Sequence, residues 1–471
     1  MSVRGARTLL LPLLIVAVAG CSRAATSPAA DFVAVDAPVI ALTNVRVIDG
    51  TGSPGRADQT VIIRGGTIEA VGDAGTVTAP PGARVIDLSG RTLVPGFVML
   101  HEHLFGTPDG SGYVNTPETS ARLYLAGGAT TIRTGGSGSW REDAPLRQAI
   151  ERGDTPGPDV DLTSPYLNLP RLPILEFSSG ADRGVKLVSK WADRGATSFK
   201  AYEHLTRDEL AGVIQEAHRR GFKVTGHLCA VTYSEAADLG IDSLEHGVWV
   251  ASDFVKDKPP DECPGQTRVL EGLLQAGWSS IQPLIAKLVA RRVAITSTLT
   301  VFETFVAKRE PAGELAKALM APSALERYER RRAAIDADPQ PVWADLLRME
   351  MKFEREFVKA GGLLAAGTDP TGSGGLVPGF SNQRAIELLV EAGFSVPEAI
   401  QIATLNGARV LGREERIGTI AVGKQADLVV LRGNPEDRVS AIEQVEMVVK
   451  KGVGYDPAKL IESTRGMVFE K

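Results

Sequence analysis

Six histidines occur in this 471-residue chain. Four of them end short apolar runs: His101 and His103 in LVPGFVMLHEHLF, His227 in FKVTGHL and His246 in IDSLEHG. Lys200 in ATSFKAY and Asp369 in LLAAGTDP occupy the same kind of place, with Gly, Pro or polar residues following. Imidazole and carboxylate together suit zinc or another divalent transition metal. Side chains two apart on a strand point the same way, so His101 and His103 can face one ion while Glu102 points away. Two ions about 3.5–4 Å apart need a bridging anion and can activate a shared hydroxide.

Such a set needs strands that end together. Eight segments read as strands: RTLVPGFVM, ATTIRTG, DVDLTSP, ATSFKAY, FKVTGHL, DSLEHG, VAITSTLT and LLAAGTD. Amphipathic stretches such as TSARLYLAGG, RGVKLVSKWADRG and TRDELAGVIQEAHRRG lie between most of them. Strands alternating with helices predict an α/β fold, a parallel (β/α)8 TIM barrel over 94–411, whose sites lie at the C-terminal ends of the strands. The stretch 303–358, rich in Arg, Glu and Ala, reads as long exposed helices. Alternating, Gly-punctuated segments at 39–93 and 412–471 predict one β-sandwich domain built from both termini.

The ordered set HxH, Lys, His, His, Asp falls on expected strands 1, 4, 5, 6 and 8. With the VPGF lead-in, TSFK, VTGH, SLEHG, GTDP and the run ATLNGARVLG…IGTIAVGKQADLVVL, it resembles the amidohydrolase superfamily over about residues 40–450. The resemblance implies a barrel flanked by a β-sandwich and two divalent ions, zinc foremost. His101 and His103 would hold the more buried ion with Asp369, and His227 and His246 the other. Lys200 would be carbamylated and bridge both, and Asp369 would act as general base. Two positions depart from the family pattern. Met99 and Thr134 stand where an Asp is frequent, which puts supporting contacts to the ions in doubt.

Within the superfamily, SFKAY, GH, DSLEHG, GTDP and PGFSNQRAIELLVEAG most resemble the prolidase-like and N-acyl amino acid amidase branch. That implies hydrolysis of an amide in a dipeptide, Xaa-Pro-like, or an N-acyl amino acid, by attack of a metal-bridging hydroxide. In that branch a tyrosine after strand five meets the substrate carbonyl. Tyr233 is the best match, with Tyr202 the other candidate, and either also suits a packing role. A substrate carboxylate needs a cation, for which Arg133 and Arg384 are the candidates, the alternative for Arg384 being a pair with Glu387 on its own helix. His204, just after KAYE, either reaches substrate or starts a helix, and His218, among Glu216, Arg219 and Arg220, reads as surface. Lactone, cyclic imide or carbamate hydrolysis on the same site remains an alternative. So do deamination, which the bridging lysine disfavours, and a non-catalytic surface-tethered binding protein.

Arg4 and Arg7 precede the apolar run LLLPLLIVAVAG, a secretory signal over 1–20 too short to span a bilayer. The region VAGC resembles a bacterial lipoprotein signal, which implies lipidation of Cys21, a tether over 21–38 and a periplasmic or outer-membrane location. Only Cys229 and Cys263 remain; an oxidising periplasm would allow them to pair, and two free, mostly buried thiols are the favoured expectation. The net charge of −5 and the absence of a basic run argue against nucleic-acid binding. The partners expected are a small amide or peptide substrate and a membrane met only through a lipid anchor, with a homo-oligomer left open.

Overall fold

The computed structural model describes residues 28–167 and 181–470. Cys21, the expected signal and the start of the expected tether lie outside these residues, as does most of the loop before the helix Ala181–Asp193.

The two ends of the chain meet in one nine-stranded sheet. Its N-terminal strands include Val39–Val47, Arg56–Arg64, Thr67–Asp73 and Arg91–Pro95. Its C-terminal strands are Leu428–Arg432, Val445–Lys450 and Val453–Tyr455. Leu428–Arg432 pairs antiparallel with Arg91–Pro95 and joins the two halves. Alternation along the strands divides the side chains between two faces. Leu42, Val61, Ile63, Leu93, Leu428, Val430 and Val449 form the domain's own core. Val94, Val429 and Leu431 face the other way and pack into the barrel core. The flanking domain expected from both termini is thus one hydrogen-bonded sheet that encloses a core of its own. Residues 33–35, expected in the flexible tether, are its edge strand and pair with Val453–Tyr455.

Eight further strands form the central unit: β1 (Phe97–Glu102), β2 (Ala129–Thr134), β3 (Asp159–Asp161), β4 (Ser198–Ala201), β5 (Lys223–Gly226), β6 (Ser243–Glu245), β7 (Ala294–Ser297) and β8 (Leu364–Ala366). All neighbours pair parallel, as a three-stranded sheet β3-β2-β1 and a five-stranded sheet β4 to β8 in chain order. This is a TIM-barrel-type arrangement divided into two ladders. One seam is spanned by the parallel bridge Thr163–Ser198. Across the other, the Thr368 and Asp369 N–H groups donate to the His101 carbonyl at 3.1 and 2.9 Å. The segment RTLVPGFVM is two strands, not one. Gly96 breaks it, and a side chain there would collide with Thr130.

Helices cover the strands, and several start where the sequence supplies a capping box: Thr206 with Glu209, and Thr232 with Glu235. The stretch expected as exposed helices is partly buried instead. Helix Pro341–Lys359 buries Leu346, Leu347, Met351, Phe353 and Phe357, together with Glu350 and Glu354. Cys229, just after β5, is disulfide-bonded to Cys263 in the long connection after β6, which corrects the expectation of two free thiols. The two loops converge around Val255 and Val269, which brings the thiols into bonding range. Among the described residues no helix is long and apolar enough to cross a membrane.

Candidate metal centre

The ends of β1, β6 and β8 bring His101, His103 and His246 around one carboxylate. Asp369 Oδ1 lies 3.3 Å from His103 Nε2 and 3.9 Å from His101 Nε2, and Oδ2 lies 3.8 Å from His246 Nδ1. His101, His246 and Asp369 present three ligand atoms within 4.8 Å of one another. The His227 ring stacks edge-on to His246 with centroids 4.7 Å apart. His246 (φ 68°) and Asp369 (φ 48°) both adopt left-handed backbone, a conformation that concentrates at functional sites. For His246 the effect is specific. Strand alternation would send residues 245 and 246 to opposite faces, and the left-handed turn lets both Glu245 and His246 reach the interior. Gly135, in TIRTGG, lets β2 approach the pair, because a Cβ there would overlap the His101 ring and crowd His103.

Burial, reinforced by the charge of Lys200, lowers His101 to about 4 and His227 to about 3. His246 falls well below its usual range through burial and the neighbouring imidazoles. These rings are therefore neutral near pH 7, the form that binds metal. Burial alone would raise Asp369, but the histidines around it outweigh that and hold it well below the usual carboxylate range.

Lys200, on β4, is fully buried, and its Nζ has no hydrogen-bond partner. Burial lowers it to about 8, against the opposing pull of Glu245 and Asp369. An unpartnered amine inside a cluster of imidazoles is costly as an ammonium. It fits a metal centre if converted to an anionic oxygen ligand. The orphaned amine, the neutral imidazoles and the shared carboxylate together make a donor set suited to divalent cations.

Glu245 is the residue that sequence reasoning overlooked. It is fully buried; its Oε2 accepts from His101 Nδ1 at 2.7 Å, and its Oε1 accepts from Arg133 Nη2 at 2.7 Å and from the Thr225 hydroxyl. Burial would raise its pKa, but Arg133, His101 and Lys200 hold it well below the usual range. A carboxylate on Nδ1 fixes the tautomer that leaves Nε2 free for a metal. On the other face of β1, Glu102 accepts from Asn382 Nδ2 at 3.0 Å and from the Thr368 hydroxyl, and burial raises it to about 8. In SLEHG and HEH the available signal was a charge inside an apolar strand, which must find a partner.

The structure distributes the remaining expected site residues between two settings. Arg133, 2% exposed, is committed to Glu245 and, through Nε, to the Leu100 carbonyl, so it is an internal strut and not a free cation for substrate. Tyr233 is fully buried and its hydroxyl donates to the Glu245 carbonyl, which makes it a strut as well. Arg384 is held by Glu303 at 2.7 Å and Glu387 at 2.7 Å. Tyr202 does reach the centre, with its ring 4.8 Å from His227 and 4.9 Å from Tyr166. His204 lies beside Glu203, Nε2 to Oε2 3.7 Å. His218 pairs with Asp242 at 2.8 Å on the surface. The two departures from the family pattern are accommodated: Met99 is packed in the barrel core, and the Thr134 hydroxyl accepts from the Thr163 N–H at 2.9 Å.

Residues 340–454 match the amidohydrolase family. A dihydroorotase of Anaeromyxobacter dehalogenans is 39% identical over 94 residues, 20% of this chain and 21% of that protein. An imidazolonepropionase of Phocaeicola vulgatus is 25% identical over 443 residues, 83% of this chain and 90% of that protein. In three dimensions a Xaa-Pro dipeptidase with methionine bound in its active site superposes with a TM-score of 0.65 at 20% identity, covering 89% of this chain and 100% of that one. The family match and the imidazolonepropionase relative support a metal-dependent amidohydrolase, and the likeness to the dipeptidase shows the fold.

Proposed function

We propose that the protein is a binuclear metal-dependent hydrolase that cleaves an amide bond in dipeptides or N-acyl amino acids. The observation that carries this is the single carboxylate of Asp369, within 4 Å of three imidazoles, next to a buried amine without a partner. His101, His103 and Asp369 would hold one divalent ion, His227 and His246 the other, and carbamylated Lys200 would bridge them. Bound there, zinc or a similar ion polarises a carbonyl and lowers the pKa of water.

The chain's own groups supply the rest. Glu245 keeps a proton on His101 Nδ1 and so keeps Nε2 available. Asp369, held ionised by the surrounding histidines, takes a proton from water at a carboxylate oxygen and returns it to the leaving nitrogen. The Tyr202 ring lies 4.8 Å from that of His227, and its hydroxyl would donate to the substrate carbonyl oxygen. Export with a lipid anchor at Cys21 belongs to the same proposal. The Cys229–Cys263 disulfide supports an oxidising compartment.

Asp369→Asn tests the assignment. Expected is a protein that still takes up zinc but loses at least about 100-fold in kcat, the usual scale of a proton-transfer group. A near-wild-type kcat would remove Asp369 from the mechanism. A panel of dipeptides, N-acyl amino acids, lactones and cyclic imides separates the proposed bond from its alternatives.

A further inference from the structure

The mouth of the metal centre carries a carboxylate that the hydrolysis does not use. Glu203 follows β4 in KAYEHL, and its backbone is fixed because its carbonyl accepts from the Ala230 N–H at 2.7 Å. Its side chain is 32% exposed, with Oε1 3.6 Å from His227 Nε2 and Oε2 3.7 Å from His204 Nε2. No lysine or arginine pairs with it among the described residues. It is therefore a carboxyl group at the open edge of the centre without a permanent cation. It does not belong to the group of three ligand atoms formed by His101, His246 and Asp369.

The wall beside it is aromatic. Tyr202 lies between His227 and Tyr166, with centroid distances of 4.8 and 4.9 Å. Tyr166 is 6.3 Å from His103. Phe105 stacks on His103 at 4.3 Å and leads to Tyr113 at 5.1 Å. Gly136 makes room for this wall, since a Cβ there would sit against the Tyr166 ring. A carboxylate beside phenol and phenyl faces is an environment that attracts an ammonium group. The neutral cap of an N-acyl group would leave that carboxylate facing nothing it can pair with.

We propose that Glu203 is a specificity-determining residue that binds the free α-ammonium of a dipeptide, with Tyr166 and Tyr202 lining the same subsite. This deepens the amide-hydrolase proposal and rests on it. It selects dipeptides over N-acyl amino acids, because the ammonium lies one carbon from the scissile carbonyl and His227 lies beside Glu203.

The test compares the zinc-loaded wild type with Glu203→Gln on a dipeptide and on its N-acetylated form. Expected is a fall of about 10- to 100-fold in the ratio of kcat/KM for the free over the acetylated substrate, seen chiefly in KM, the scale of one charge-assisted hydrogen bond. Metal content should stay unchanged. A ratio within twofold of wild type overturns the proposal. So does loss of an ion from the variant, which would make Glu203 a ligand. If the wild type cleaves neither substrate, the amide-hydrolase proposal fails, and the subsite is then read from binding of a ketomethylene isostere of the dipeptide, free and N-acetylated. A wild-type preference for the free amine that Glu203→Gln abolishes sustains the subsite, and no preference overturns it.

Discussion

Replacing Glu245 by Gln keeps the volume and removes the charge, and three contacts respond. Arg133 loses its carboxylate while remaining 2% exposed, with its Nη2 facing the altered group at 2.7 Å. The Thr225 hydroxyl loses a charged acceptor. If the amide oxygen faces Arg133, the amide NH2 faces His101 Nδ1. Two donors then oppose each other unless the imidazole moves its proton to Nε2, the atom needed for a metal. Breaking a buried ion pair from one side costs about 3–5 kcal/mol. Loss of the carboxylate behind a ligating histidine costs about 10–100-fold in metal affinity. Equilibrium denaturation of metal-stripped protein reads the first, and zinc titration against a competing chelator reads the second. The pH dependence adds a signature. Glu245 is depressed in the folded state, so its contribution is present above the unfolded value of 4.5 and is lost as pH falls. The variant should therefore show a flatter acid limb. Stability within about 0.5 kcal/mol of wild type, the scale of a neutral surface change, together with zinc affinity within twofold, would refute the reasoning.

Two further perturbations follow from the fold. Replacing Cys229 and Cys263 together by Ser opens a loop of 34 residues, for which loop entropy predicts a loss of about 3–4 kcal/mol; equal denaturation midpoints with and without reductant would contradict this. Glu354 is fully buried, and burial, which outweighs the nearby Ser297 hydroxyl, raises it to about 8, with Glu350 raised beside it. The folded state thus keeps a proton that the unfolded chain releases near 4.5, and stability falls as pH climbs from there towards 8. Glu354→Gln should melt higher than wild type at alkaline pH, with the gap closing towards pH 5, and parallel curves in thermal melts would count against it.

The expected strand segments form because each is a short apolar run ended by Gly, Pro or polar residues, a pattern that one sequence displays without a partner. The ligand candidates were visible for the same reason, since a histidine closing such a run has few other roles. What stayed hidden depends on encounters between distant segments. Arg133 reads as an available cation and Arg384 as either a cation for substrate or a partner of Glu387; the Glu387 pair forms, and only the fold adds Glu303 to it and brings Glu245 to Arg133. Cys229 and Cys263 pair because two long connections converge. Tyr233 lies close in sequence to His227, yet its hydroxyl turns inward to the Glu245 carbonyl. Residues 33–35 look like linker until the C-terminal strand Val453–Tyr455 arrives beside them.

The most direct test of the central claim is a zinc titration of metal-stripped protein with amide hydrolysis followed at each addition. Two equivalents per chain should bind, and activity should rise with their uptake and vanish again on chelation. Full activity in the stripped protein, or failure of the chain to bind zinc at all, would contradict a hydrolase built on His101, His103, Lys200, His227, His246 and Asp369.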